Sequence, residues 1–134
     1  MSKELTKLKK KADTIFSKYV RYRDGKVING EWYTECITCQ EWKPLKQMQN
    51  GHFVSRGKNI LRYDDLNCNG QCYTCNVIKH GDLYEYAKQL DLKYGDGTAE
   101  RLHSMRTQTK KLTIAELEQI IEDAKAYVKE LEEL

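Results

Sequence analysis

The sequence has no apolar run near the roughly 20 residues that a helix needs to cross a membrane. Its opening, MSKELTKLKKK, lacks the apolar h-region of a secretory signal. The expectation is a cytoplasmic protein without a membrane partner. Hydrophobic residues are also sparse, at 40% beside 32% charged. That excludes a large core and leaves a helix-rich chain of one-domain length with a charged surface. Disulfides are disfavoured in a reducing compartment, so the five cysteines argue for metal.

The net charge of +3 hides an asymmetry. Residues 1–26 carry nine Lys/Arg against three acids, whereas residues 113–134 carry seven acids against two lysines. A basic arm points to nucleic acid. Equally, the basic and acidic ends can simply complement each other.

Hydrophobic periodicity places an amphipathic helix over 3–23, with Leu5, Leu8, Ala12, Ile15 and Tyr19 on one stripe and Asp24-Gly25 as its stop. Its lysines and Arg21 and Arg23 could add sequence-blind contacts to DNA. Asn29-Gly30 between strand-forming residues predicts a β-hairpin whose second strand runs through Trp32 into Cys36. A second extended run, Met48 to Val54, carries His52, and residues 57–66 read as irregular. A helix is expected from Thr74 or Cys75 through Leu90, bent or interrupted at Gly81, and a short one follows over about 98–106. Thr113 and Glu116 form a capping box for a last helix with Ile114, Leu117, Ile121, Ala124, Val128 and Leu131 on its stripe. The two terminal helices should pack within the chain, a homodimer seam being the alternative. The expected organisation is one α+β domain: a basic helix (1–24), a zinc-stapled core (26–93) and C-terminal helices (98–134).

Cys36-x2-Cys39 and Cys72-x2-Cys75 supply four thiolates on two tight turns, the natural ligand set for tetrahedral Zn²⁺. A site closed by four sulfurs has no open position, so this zinc is structural and chemistry must come from elsewhere. Cys68 lacks the knuckle spacing and is expected to be buried and inert.

Between and after the pairs lie residues suited to phosphodiester chemistry. Helical i, i+4 spacing would put Asn76 and His80 on one face, sharing a hard divalent ion. His52 on a facing strand could act as general base, with Asn67 orienting its imidazole. Arg56, Arg62 and Lys79 would hold DNA phosphates. Each has a plainer explanation: a lone strand histidine, knuckle turn residues for Asn67 and Asn76, a helix-end residue for His80. His103 has no such context and reads as a surface residue.

The ordered set Gly51-His52-Phe53, Arg56, Arg62-Tyr63-Asp64, Asn67-Cys68 and Gln71-Cys72-Tyr-Thr-Cys75-Asn76 resembles the HNH (ββα-metal) endonucleases. With Ile15 to Asp24 and Cys36-Ile-Thr-Cys39 it is similar, more narrowly, to the NinG/Rap recombination proteins of lambdoid phages, over residues 14 to 90. The resemblance implies a phage- or prophage-encoded endonuclease, using Mg²⁺ or Mn²⁺, that acts on branched DNA such as Holliday junctions. It implies His52 as base, Asn67 and Asn76 as the further motif residues, and His80 as a second helical metal ligand. One departure stands out. Many HNH enzymes carry a metal-ligating Asp or His directly before the base, where this chain has Gly51. The ion would then rest on Asn76, His80, water and phosphate, or on Asn50. A non-catalytic zinc-ribbon module and a general nicking nuclease are the competing expectations.

Overall fold

The computed structural model describes residues 2–134. Helix α1 (Lys3–Arg23) starts where the Ser2 hydroxyl accepts the Leu5 N–H, a side-chain cap of an otherwise orphaned donor. It buries Ala12, Phe16 and Val20. At its end Gly25 is required for space rather than for a left-handed turn. A Cβ there would lie 2.7 Å from the Tyr33 carbonyl oxygen and 2.8 Å from that of Arg21.

The hairpin forms as its sequence dictates. Strands β1 (Gly25–Ile28) and β2 (Glu31–Glu35) flank Asn29 and Gly30, whose φ angles of 51° and 82° make the tight turn. β3 (Trp42–Pro44) adds an antiparallel third strand, and the Cys36–Cys39 knuckle lies between β2 and β3. A second, two-stranded antiparallel sheet joins β4 (Met48–His52) to β5 (Cys68–Cys72), with Met48 opposite Cys72 and His52 opposite Cys68. Ile37 N–H donates to Gly70 O at 2.9 Å, linking the knuckle to β5.

The helix expected from Thr74 to Leu90 is interrupted at Gly81, the more severe of the two outcomes that glycine allowed. A wide helical turn spans Thr74–Ile78, and the chain then breaks at His80, Gly81 and Asp82, all at positive φ. Helix α2 (Leu83–Tyr94) starts only after the break, followed by α3 (Thr98–Ser104). Gln71 holds the break open from inside by donating its Nε2–H to Gly81 O at 2.8 Å.

Helix α4 (Ile114–Glu132) carries the complete capping box at Thr113 and Glu116, with Leu112 packed beneath. Its Leu117 and Ile121 pack against Ala12 of α1, with Leu5, Leu8 and Ile15 around them, so the terminal helices do pair within the chain. Lys18 and Glu132 form a 2.7 Å ion pair across them. The result is a mixed fold of helices and small antiparallel sheets. No described helix is long and apolar enough to cross a membrane.

A buried polar hub ties α1, β5 and α2 together. Asp24 accepts from the Arg23 guanidinium, from Lys93 at 3.1 Å and from the Gly70 N–H at 2.8 Å. Asn69, fully buried, accepts from Arg23, Lys93 and the Tyr94 hydroxyl. Arg23 is therefore a structural residue. Arg21 likewise donates to the Ser17 and Leu45 carbonyls, so both guanidinium groups are engaged within the fold.

Candidate active site and metal centre

The four cysteines converge. Sγ atoms of Cys36, Cys39, Cys72 and Cys75 all lie within 4.8 Å of one another. Tetrahedral Zn–S bonds of about 2.3 Å would set the sulfurs about 3.8 Å apart. The Cys39–Cys72 separation is 3.9 Å, so this set could hold a metal such as zinc. Backbone N–H groups already support the thiolates: Cys72 N–H points to Cys36 Sγ at 3.3 Å and Cys75 N–H to Cys72 Sγ at 3.5 Å. Burial opposes ionisation of Cys36, but the Thr38 hydroxyl and backbone N–H groups outweigh it and bring its pKa down to about 7. Cys68 stays outside the cluster, fully buried among Phe16 and Val20.

The second site opens at the other end of the β4–β5 ladder. A cleft of about 350 Å³ is walled by Asn50 and His52 of β4, Asn76 of the helical turn, and Arg56 and Arg62 of the loop between the strands. Asp13, Phe16 and Ser17 of α1 and Tyr63 complete it. His52, Asn76, Arg56 and Arg62, all expected from the sequence, thus share one cavity.

The state of His52 follows from one bond. Its Nε2 lies 2.9 Å from the Arg62 carbonyl oxygen. A carbonyl only accepts, so Nε2 carries the proton, and in the neutral ring Nδ1 keeps the free lone pair. Burial lowers the pKa below the ordinary imidazole value, the bond to Arg62 O opposes this, and the Arg56 and Arg62 charges lower it further. A neutral, oriented imidazole beside two guanidinium groups can accept a proton next to a bound anion.

Asn67 does not orient that ring. It is fully buried, and its Oδ1 accepts the Val54 N–H at 2.8 Å. Its Nδ2 donates to the Val54 and Leu61 carbonyls. It clamps the ends of the β4–β5 loop, and so acts on His52 only by holding the segment that presents the Arg62 carbonyl. His80 is corrected too. It lies past the helical turn at φ 51°, is exposed, and does not line the cleft, so no i, i+4 face with Asn76 exists. Lys79 is exposed on the same turn, also outside the cleft.

Position 51 explains its own glycine. A Cβ there would sit 2.1 Å from Gln71 Oε1, on the face of β4 opposite His52. The space is filled by Gln71, and a ligand from residue 51 would point away from the cleft. Asn50, on the same face as His52, lines it instead, and its buried Oδ1 has no hydrogen-bond partner among the described residues. Asn76 donates Nδ2 to Gln49 Oε1 at 2.7 Å, leaving its Oδ1 as an available acceptor.

Sequence reasoning missed Asp13. Its Oδ1 accepts from Arg62 Nε and from the Tyr63 hydroxyl, each at 2.8 Å, and its Oδ2 pairs with Arg62 Nη2. Arg56 Nη1 stands 4.0 Å away. Burial raises the Asp13 pKa, yet the Arg62 and Tyr63 hydrogen bonds prevail and hold its carboxyl below the usual range. The available signal was a lone acid between Lys11 and Lys18, one residue from the buried Ala12.

Fold and site together define a small α+β protein with a four-cysteine cluster that could hold a metal, beside an arginine-lined, histidine-bearing cleft. The family described as Bacteriophage Lambda NinG protein matches residues 1–133, and the chain belongs to that family. No curated protein and no solved structure matches it.

Proposed function

We propose that the protein is a metal-dependent DNA endonuclease, acting in the bacterial cytoplasm on branched recombination intermediates such as Holliday junctions. The observation that carries this is His52, with its Nε2 proton committed to the Arg62 carbonyl and Nδ1 left as a neutral base in an arginine-lined cleft. His52 takes a proton from an attacking water. Arg56 holds a phosphate oxygen, and Arg62 joins it when the substrate's charge competes with Asp13. Membership of a phage protein family supports the recombination setting.

The donor set fits a hard cation. Asn50 Oδ1, buried without a partner, and Asn76 Oδ1 are neutral oxygens suited to Mg²⁺ or Mn²⁺ that keeps several waters. When bound, the ion would polarise the phosphate and stabilise the leaving oxygen. His80, outside the cleft, is not needed. The four cysteines hold a structural zinc and take no part in the reaction.

The test compares wild type and His52→Ala on a four-way junction and a plain duplex in Mg²⁺. Cleavage lost while junction binding persists supports the assignment. Cleavage by His52→Ala at the wild-type rate refutes it. Binding without cleavage by wild type would make this a zinc-ribbon binding module, and equal cleavage of both DNAs a general nicking nuclease.

A further inference from the structure

Next to Asn76 the chain carries a run of exposed apolar side chains. Of ten large hydrophobic side chains exposed among the described residues, five fall between Tyr73 and Tyr84: Tyr73, Val77, Ile78, Leu83 and Tyr84. Ile78 is 61% exposed and Tyr84 78%. Scattered single residues of this kind are ordinary, whereas a cluster marks a binding surface. Lys79 and His80 are exposed beside it, and Lys88 Nζ, paired with Glu85 at 3.6 Å, stands 4.5 Å from the centre of the Tyr84 ring.

The geometry joins this surface to the cleft. Within the turn Thr74–Ile78, Cys75 belongs to the metal centre and Asn76 lines the cleft. Helical spacing puts Tyr73 and Val77 one turn apart on the far side of Asn76 from Cys75. The protruding shape is built in. Gly81 N–H donates to Cys75 O at 2.9 Å, Gln71 holds Gly81 O, and His80 and Asp82 accept the left-handed conformation that non-glycine residues avoid.

Resting on the nuclease assignment, we propose that Tyr73, Val77, Ile78 and Tyr84 take unstacked nucleobases of the strand whose phosphate occupies the cleft. Base faces are apolar and lie within reach of phosphates, which matches exposed apolar side chains with the Lys79 ammonium among them. In a continuous duplex those faces are covered by neighbouring base pairs. Where stacking is interrupted they are free, so this surface separates broken from continuous duplex without reading sequence.

The experiment uses zinc-loaded protein in a His52→Ala background without Mg²⁺. The DNAs are a four-way junction with 2-aminopurine at the branch and a duplex of matched sequence. The variants are Val77→Ser/Ile78→Ser and Tyr73→Ser, with Leu92→Ser, an exposed apolar residue on α2, as control. The junction-over-duplex affinity ratio should fall about tenfold in the first two, the scale of one lost base–side-chain stack, and hold in the control. The branch 2-aminopurine signal on binding should fall with it. An unchanged ratio overturns the proposal, as does loss only of self-association in sedimentation. Branch-selective binding by a wild type that never cleaves would leave this proposal standing and remove the nuclease assignment. A wild type that binds no DNA removes both.

Discussion

Replacing Asp13 by asparagine keeps the side chain's shape and removes its charge. The Tyr63 hydroxyl and Arg62 Nε keep an oxygen acceptor, but Arg62 Nη2 then faces an amide donor. A hydrogen bond between charged groups contributes about 1.5–3 kcal/mol. The Arg62 and Asp13 side chains retain 13% and 21% exposure, so the upper end is not reached. A loss of about 2 kcal/mol is expected, which for a chain of this length lowers Tm by roughly 6–10 °C. DNA binding should move the opposite way. Arg62, no longer neutralised, gains a phosphate, and the slope of log K against log salt steepens by about 0.9. The assays are thermal unfolding by circular dichroism and junction binding across a salt series. Wild-type stability, or an affinity that falls together with stability, would refute the idea that Asp13 occupies the phosphate-binding arginine. The lowered Asp13 pKa adds a pH signature. Its contribution is complete above the unfolded carboxyl value of about 3.9 and vanishes as pH falls through the folded value, so the two proteins' stabilities should converge in acid.

Three further outcomes follow from the geometry. Purified wild type should contain about one zinc per chain and Cys75→Ser none. Structural zinc contributes about 10–16 kcal/mol in small sites, more than most domains' whole stability, so the variant's core should show no cooperative unfolding. Gly51→Asp should destabilise by about 3 kcal/mol or more, because its side chain enters the space of Gln71 and buries a charge; chemical denaturation of Gly51→Asp with and without Gln71→Ala should show partial rescue in the double variant. For cleavage in Mg²⁺, the acid limb of the pH–rate profile should have its midpoint below the ordinary imidazole value of about 6.5, since His52 is held neutral; a midpoint above 7 would contradict a desolvated base.

The terminal helices, the hairpin and the cysteine pairs were legible because each depends on local signals: a 3/4 stripe, Asn-Gly, Cys-x-x-Cys. The cleft was half legible. His52, Asn76, Arg56 and Arg62 could be picked by chemistry, but their partners could not. Strand β5 reads Cys-Asn-Gly-Gln-Cys, poor in strand-forming types, and exists through pairing with β4 and burial of all five residues. The break at residues 80–82 was signalled by Gly81, but helical spacing on either side left a mere bend equally open. It wins because Gln71, 10 residues earlier, captures the Gly81 carbonyl. Asp13 acts on Arg62 across 49 residues, and the Arg62 backbone, not a side chain, sets the His52 tautomer. The second leaves no mark in residue type, and the first only that of a lone acid among lysines.

The pairing of α1 with α4 also governs how the protein can be made. The first helix leaves the ribosome roughly ninety residues before the helix that covers its stripe, at about 5–20 residues per second. During that interval Leu5, Leu8, Ala12 and Ile15 have no partner from the C-terminal end, although both cysteine knuckles are already synthesised. Metal capture can therefore precede completion of the helical pair. Nascent chains halted near residue 110 are expected to hold zinc yet to aggregate or recruit chaperones through α1. Asp13 sits on that same helix, yet every residue that lines the cleft, from Asp13 to Asn76, precedes α4, so the cleft and the metal site can be assembled from one nascent segment before the helical pair closes.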